Sequence, residues 1–333
     1  MRIAINGFGR IGRVFLRNIL DRPARSVIAI NDLADTKTLA HLFKYDSVHH
    51  GFKGTVDFDK DHLFINGRGI KVLSVSEPAG LPWKQLDIGL VIESTGKFTS
   101  KSGASKHLEA GAKQVIISAP SGDKSIPTIV LGVNDNLIDL RSPILSNASC
   151  TTNNVAAMVK ILDDNWGIID GYITTVHSMT GDQSLHDAPH KDLRRARAAS
   201  ASIIPTTTGA AKAITTIFPH LDGKLGGAGI RVPVLNGSLT DFTCSLKKQP
   251  TVETINRAFK QAAQGPMKNI LEYTEDPIVS TDIIGNTHSC IFDALLTSIV
   301  GGLVKVVGWY DNEMGYSSRL ADLVEKINKL AND

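Results

Sequence analysis

Over the first half of the chain, short unbroken apolar runs alternate with stretches whose apolar residues recur at helical spacing. "RIAI" (2–5) reads as a short buried strand, and in "NGFGRIGRVFLRNIL" after it Ile11, Phe15 and Ile19 fall on one helical face. "VIAIND" (27–32) is a second strand; "QLDIGLVIEST" (85–95) and "KQVIISAP" (113–120) are two more, with "SKHLEAGA" supplying a helix between them. Strands alternating with helices predict a parallel sheet covered on both faces. After residue 150 the pattern changes. "GYITTVHSMT", "LGGAGIRVPVLNGSLTDFTCSLKK" and "THSCIFDALLTSIVGGLVKVVGWYDN" hold longer strands close together, interrupted by helices near 209–218 and 251–264. This predicts a mixed or antiparallel sheet with helices on one side. The segment 316–331 places Leu320, Leu323, Val324, Ile327 and Leu330 on one helical stripe. Only 180–202, rich in Arg, His and Asp, is long and without periodicity, and such loops inside compact domains are usually functional or interfacial.

Composition narrows the class. A chain of 333 residues is long enough for two domains, and 42% apolar with 21% charged residues is ordinary for a globular protein. The formal net charge of +3 is small and its basic residues are spread out, so no nucleic-acid-binding surface is expected. The most apolar late stretch is broken by Gly301, Gly302 and Lys305, and the N-terminus runs directly into a strand pattern; neither a membrane span nor a leader is expected. Cys150, Cys244 and Cys290 have no paired or metal-like spacing. A reducing, cytoplasmic compartment without a disulfide framework or bound metal is the expectation.

Gly7, Gly9 and Gly12 form G-x-G-x-x-G between the first strand and its helix, and Asp32 follows Gly12 by twenty residues at the end of the second strand. Glycines permit the tight turn and let backbone approach a pyrophosphate at the helix N-terminus, while the acid can accept from an adenosine ribose. A structural glycine turn beside a surface aspartate is the plainer alternative. The ordered context of strand, glycines, helix, strand and acid favours a nucleotide site, and Asp32 favours NAD over NADP because a 2′-phosphate would meet a like charge.

In "PILSNASCTTNNVAAMVKIL", Val155, Met158, Val159 and Leu162 predict a helix beginning near Cys150, with Ser149, Thr151 and Thr152 as capping residues. A thiol there meets free N–H groups and the positive end of the helix dipole, which favour a thiolate and could stabilise an oxyanion. The alternative is a small buried hydrophobe, which is the reading for Cys244 and Cys290 in their apolar runs. A nucleophilic cysteine usually needs a base. His177 ends the strand "YITTVH" just before the long loop, but position alone does not select it over His186, His190 or His220.

"INGFGRIGR", "SNASCTTN", "TTVHSMTGDQ", "RRARAASASIIPTTTGAAKA", "GIRVPV" and "GWYDNEMGYS" occur in this order over the whole chain. Together they resemble the phosphorylating glyceraldehyde-3-phosphate dehydrogenase family. The resemblance implies an α/β protein with a Rossmann-type dinucleotide-binding domain, residues 1–149 joined by a C-terminal helix 313–333. It also implies an α+β catalytic domain, 150–312, with a mixed, largely antiparallel sheet. The implied activity is that of a glycolytic oxidoreductase, forming 1,3-bisphosphoglycerate from glyceraldehyde 3-phosphate, inorganic phosphate and NAD through a cysteine hemithioacetal and thioester. Cys150 would be the nucleophile and His177 the acid and base. Thr180 and Arg231 would lie near the substrate phosphate, and Ser149, Thr151, Thr208 and Gly209 around the attacking phosphate. Arg195 would be nearby, with Arg194 and Arg197 as alternatives. For the cofactor the resemblance adds Arg10 and Ile11 at the pyrophosphate, Ser118 after a later strand and Asn312 at the nicotinamide carboxamide; Ser76 stands at the adenine pocket where many relatives have arginine, so its contact there would run through the backbone. It also implies a homotetramer in which the 180–202 loop reaches a neighbouring subunit. Asn154 stands where the family often has a second cysteine, which excludes an internal disulfide there. Ala188 resembles NADP-tolerant members and Pro189 NAD-specific ones, so NAD is the expected cofactor with NADP use open. Erythrose-4-phosphate dehydrogenase, which hydrolyses its thioester, is the alternative within the resemblance; "PTTTGAAKA" favours the phosphorylating reading.

Overall fold

In the computed structural model, which describes residues 1–20, 22 and 26–331, the apolar runs of the first half meet in one sheet. The first of two units comprises Met1–Ile129, Asn136–Ala148 and the segment from Ser317 onward. Its elements up to Ala148 are β1 (Arg2–Asn6), α1 (Arg10–Ile19), β2 (Ser26–Asn31), α2 (Thr36–Lys44), β3 (Val56–Phe58), β4 (His62–Ile65), β5 (Arg68–Leu73), β6 (Leu90–Glu93), α3 (Lys101–Glu109), β7 (Gln114–Ile117) and β8 (Ile144–Ser146). The strands run in the order β3-β4-β5-β2-β1-β6-β7-β8, parallel from β5 to β8. Burial of every residue of β6 explains why it reads as a continuous apolar run without alternation. Because β1 lies between β2 and β6, the connections on its two sides diverge and open a crevice at the carboxyl ends of the strands.

The sheet is not purely parallel as expected, because β3 and β4 add antiparallel strands at one edge. Asn66 (φ 50°) and Gly67 (φ 76°) form the two-residue turn between β4 and β5, the left-handed pair that matches the twist of a hairpin. The strand expected at 85–95 shrinks to Leu90–Glu93, since Asp87 (φ 49°) sits in a turn closed by Ile88 N–H donating to Trp83 O. The helix before β7 begins earlier than predicted, at Lys101, where Ser100 Oγ caps Gly103 N–H.

The second unit comprises Val130–Asp135 and Ser149–Tyr316. It contains α4 (Cys150–Trp166), β9 (Ile168–Ser178), β10 (Ile204–Thr206), α5 (Ala210–Ile217), β11 (Leu225–Val232), β12 (Ser238–Leu246), α6 (Val252–Gln264), β13 (Leu271–Thr274), β14 (Cys290–Asp293), β15 (Ser298–Val300) and β16 (Leu303–Tyr310). The order is β10-β11-β9-β12-β16-β14-β13, with β15 on β16; only β9–β11 and β13–β14 are parallel. Along β12, buried residues alternate with half-exposed ones, so one face of the strand meets the core. Helix α4 packs against β9, β12, β14 and β16 and is buried at almost every position from Thr151 to Leu162. Residues 179–203 hold neither helix nor strand.

Helix α7 (Met314–Leu330) closes the chain, and from Ser317 on it belongs to the first unit. Leu320, Leu323, Val324 and Ile327 are fully buried, but Leu330 is 40% exposed, so the predicted stripe ends one turn early. Asn332 and Asp333 of the expected 313–333 helix lie outside the described residues. No helix among the described residues is long and apolar enough to cross a membrane.

Candidate active site

The crevice of the first unit is lined by Gly7, Gly9, Asp32, Ser76, Thr95 and Phe98, among others. Each glycine of the motif answers a different steric demand. Gly7 has φ 91°, and a Cβ there would lie 2.7 Å from Thr95 N; a Cβ on Gly12 would lie 2.3 Å from Gly7 O. A Cβ on Gly9 would meet nothing within 4 Å, so its small size keeps open space in front of the helix. Tight turn, open approach and close helix packing are the three requirements of a pyrophosphate cradle, and Gly9 precedes α1 without a side chain to cap it. Asp32 Oδ2 accepts from Phe8 N–H at 2.7 Å and Oδ1 from Ala34 N–H at 3.0 Å, which fixes the carboxylate at the end of β2.

The Arg10 guanidinium turns to Asp46, at 2.6 and 3.1 Å. Burial raises Asp46, yet the bonds from Arg10, His49 N–H and Val48 N–H outweigh it and hold the carboxyl at about 2. Ser118 follows β7 and donates its N–H to Glu93 O. It does not line the crevice. Asn312 belongs to the second unit, where its Oδ1 accepts from Ser178 and Ser238 hydroxyls at 2.9 Å each.

In the second unit Ser149 caps α4 by accepting from Thr152 N–H, which puts Cys150 in the first turn of the helix as predicted. His177 lies near the end of β9, directly across from Arg231 of β11 in the parallel pairing. Cys150 Sγ and His177 Nε2 are 3.5 Å apart. The tautomer follows from the other ring nitrogen. Nδ1 is 2.7 Å from Ser178 O, a distance that requires a proton between them, so Nε2 presents its lone pair to the thiol. Arg231 Nη1, 3.0 Å from Nδ1, has its acceptors elsewhere, in Ser178 O at 3.1 Å and Thr180 Oγ1 at 2.9 Å.

Burial, then the nearby Arg231 charge, lowers His177 to about 4, so the imidazole is neutral near pH 7 and ready to accept a proton. Burial pushes the Cys150 thiol up, although the residue keeps a partly open surface. Arg231 and the helix-terminal N–H groups act the other way, with the sign expected from the sequence, but burial outweighs them.

A chain of contacts leads outward from this pair. Thr180 Oγ1 donates to Asp182 Oδ1, and Asp182 Oδ2 accepts from Arg195 Nη1 at 2.7 Å. Arg195 Nε donates to Thr206 Oγ1 at 3.0 Å. Burial raises Asp182, and Thr180, Arg231 and Arg195 together bring it below the usual carboxylate range. Of the three candidate arginines, Arg195 is thus joined to Thr180 and Arg231, whereas Arg197 pairs with exposed Asp187. Thr208 and Gly209 precede α5, where Thr208 Oγ1 accepts from Ala210 N–H. Neither makes a hydrogen bond to Cys150, His177 or Arg231. Behind the pair, Thr175 Oγ1 donates to Leu239 O and so accepts from the Tyr310 hydroxyl, which in turn accepts from Thr151. The Thr151 N–H faces the Cys150 sulfur, where it draws the thiol downward.

Asp182 and Tyr310 escaped the sequence reading. Asp182 stands in the quoted "TTVHSMTGDQ", two residues after Thr180, but a carboxylate is not a type sought where phosphate should bind. Tyr310 sits in "GWYDNEMGYS", where nothing in the local pattern reveals what its hydroxyl meets.

Comparison with known proteins agrees with this geometry. Residues 1–101 match the family profile described as glyceraldehyde 3-phosphate dehydrogenase, NAD binding domain, and 149–312 match its C-terminal domain. The chain is 54% identical over 327 residues to the glyceraldehyde-3-phosphate dehydrogenase of Streptomyces coelicolor, covering 97% of each chain. It is 52% identical over 336 residues, 99% of each chain, to that of Mycobacterium tuberculosis. It is also 52% identical over 326 residues, 97% of each, to glyceraldehyde-3-phosphate dehydrogenase 2 of Streptomyces avermitilis. With both domains matched and relatives aligned over nearly their full length, the chain belongs to the glyceraldehyde 3-phosphate dehydrogenase family, with an NAD-binding Rossmann domain and a catalytic domain.

Proposed function

We propose that the protein oxidises D-glyceraldehyde 3-phosphate with NAD and phosphorylates it to 1,3-bisphosphoglycerate, with Cys150 as nucleophile and His177 as acid and base. The observation that carries this reading is the Cys150 Sγ to His177 Nε2 approach of 3.5 Å, with the lone pair of Nε2 facing the thiol. The thiol proton passes to Nε2 as sulfur attacks the aldehyde carbon, and the imidazolium returns it to the oxygen of the hemithioacetal. His177 then takes the hydroxyl proton while hydride leaves; NAD, when bound, supplies the hydride acceptor. Phosphate attacks the resulting thioester and expels the sulfur as thiolate beside the imidazolium.

Arg231 and Thr180 hold the substrate phosphate, with Arg195 next to them. Ser149, Thr151, Thr208 and Gly209 receive the attacking phosphate, since hydroxyls, peptide N–H groups and guanidinium are the natural partners of its oxygens. Gly7, Gly9, Gly12 and the backbone of Arg10 and Ile11 cradle the pyrophosphate. Asp32 takes the adenosine ribose, Ser76 meets the adenine through its backbone, Ser118 is a further cofactor residue, and Asn312 takes the nicotinamide carboxamide. A 2′-phosphate would meet Asp32, so NAD is preferred to NADP. The rate of reduced-cofactor formation from glyceraldehyde 3-phosphate, with NAD or NADP and with or without phosphate, tests the reading. Turnover that depends on phosphate is expected; turnover unchanged without it would replace the reading by that of an erythrose-4-phosphate dehydrogenase.

A homotetramer in the cytoplasm completes the proposal. It is supported by the exposure of Leu185, Leu193, Ile203 and Val300 at 69, 82, 70 and 74%, and by three free cysteines. Light scattering of the full chain checks the assembly.

A further inference from the structure

Asn31, Asn6 and Glu93 end three adjacent strands, β2, β1 and β6, and are direct partners in the strand registers. Glu93 is a charged side chain with no exposure, and it does not line the crevice of the first unit. Four donors converge on it. Oε1 accepts from both the N–H and the hydroxyl of Thr95, and Oε2 from Asn6 Nδ2 at 2.6 Å and His107 Nε2 at 3.0 Å. The direction of every bond is fixed. Trp83 Nε1 can only donate, so His107 Nδ1 accepts from it at 3.0 Å and Nε2 carries the proton given to Glu93. Asn6 Oδ1 accepts from Asn31 Nδ2 at 2.7 Å, and Asn31 clasps Val75 through both its N–H and its C=O at 2.9 Å.

We propose that Glu93 is a positioning residue of the dinucleotide site, a buried carboxylate that sets two opposite walls of the crevice at once. This rests on reading that crevice as the NAD pocket. On one side it fixes Thr95, whose N lies 2.7 Å from where a Cβ of Gly7 would stand, so its place determines the space above the glycine turn. On the other side the row through Asn6 and Asn31 fixes Val75, next to Ser76. Asn6, Asn31, Val75 and Thr95 all line the crevice. An acceptor-only group is required at its centre. A glutamine there must turn its NH2 either toward Thr95 or toward Asn6 and His107, donor against donor, and one wall is released.

The test is NAD titration calorimetry on the full chain carrying Glu93→Gln, well below its unfolding temperature, beside iodoacetamide alkylation of Cys150 in the NAD-free protein. NAD affinity should fall about tenfold to a hundredfold, as expected when buried bonds are broken. Alkylation should stay within about twofold, because the change is confined to the cradle. A glutamate needed only for folding would lower stability and leave the affinity of the folded protein unchanged, and that result overturns the proposal. Glu93→Asp, which keeps the charge but is too short to reach Thr95 and His107 together, is read the same way if Glu93→Gln does not fold. Hydrogen exchange at the Thr95 amide of the wild-type protein without NAD adds a measure free of mutation: protection is expected, and free exchange would contradict the proposal. Failure of the wild-type protein to bind NAD would instead refute the pocket assignment itself.

Discussion

Arg231 stands where charge controls both members of the Cys150–His177 pair, and replacing it by methionine keeps bulk while removing that charge. The fall of His177 from 6.5 to about 4 corresponds to about 3 kcal/mol at roughly 1.4 kcal/mol per pH unit. Burial is the largest cause and Arg231 the next. The same charge draws the Cys150 thiol downward. Without it both groups shift up: the imidazole is protonated at higher pH, and the thiolate forms at higher pH. Iodoacetamide inactivation of the cofactor-free protein across the pH range reports this directly. In Arg231→Met the alkylation limb should move to higher pH, and the rate near neutrality should fall about threefold or more. Arg231→Lys, which keeps a charge but loses the fork, should move it less. An unmoved limb in Arg231→Met, with only the substrate KM raised, would refute the electrostatic account and leave Arg231 as a phosphate ligand alone.

Other consequences are equally direct. Cys150→Ser should bind NAD with nearly unchanged affinity and lose oxidation by a factor on the order of a thousand or more, read from single-turnover absorbance of the reduced cofactor. His177 binds its proton near pH 4 when folded and near 6.5 when unfolded. The stability it contributes is therefore present above 6.5 and lost as pH falls toward 4, about 3 kcal/mol in all. Urea midpoints of wild type and His177→Gln across that window should converge as the pH is lowered. Asp46→Asn removes the charge-assisted bonds to Arg10 and the N–H groups of Val48 and His49. It should cost about 1–2 kcal/mol of stability near neutrality, the Arg10 side being partly solvated. The difference should vanish as pH falls from 3.8 through about 2.

The parts of the fold that were legible in the sequence are those whose burial is uniform along the element. β1, β2 and β7 read as apolar runs because a parallel strand packed on both faces has no polar side to display. The hairpin of β4 and β5 carries its turn signal in Asn66-Gly67, between "HLFI" and "RGIKVL", but its half-exposed residues make no apolar run. At the site, Cys150 was marked by the helix pattern behind it. Position alone leaves His177 one of several histidines; the family resemblance selects it, and the register of β9 with β11 sets it beside Arg231. That register, and the inward path of the Thr151 hydroxyl to Tyr310, are long-range pairings that no local pattern records. Asp182 and Glu93 were hidden for a related reason: a carboxylate held by donors looks in sequence like any surface acid.

The central claim is that Cys150 carries the substrate covalently. Rapid mixing of the protein with glyceraldehyde 3-phosphate and NAD in the absence of phosphate, acid quenching and peptide mass spectrometry would measure it. The account predicts a 3-phosphoglyceryl adduct on the peptide bearing Cys150 and none on those bearing Cys244 or Cys290. Formation of reduced cofactor in a burst with no adduct on Cys150 would contradict it.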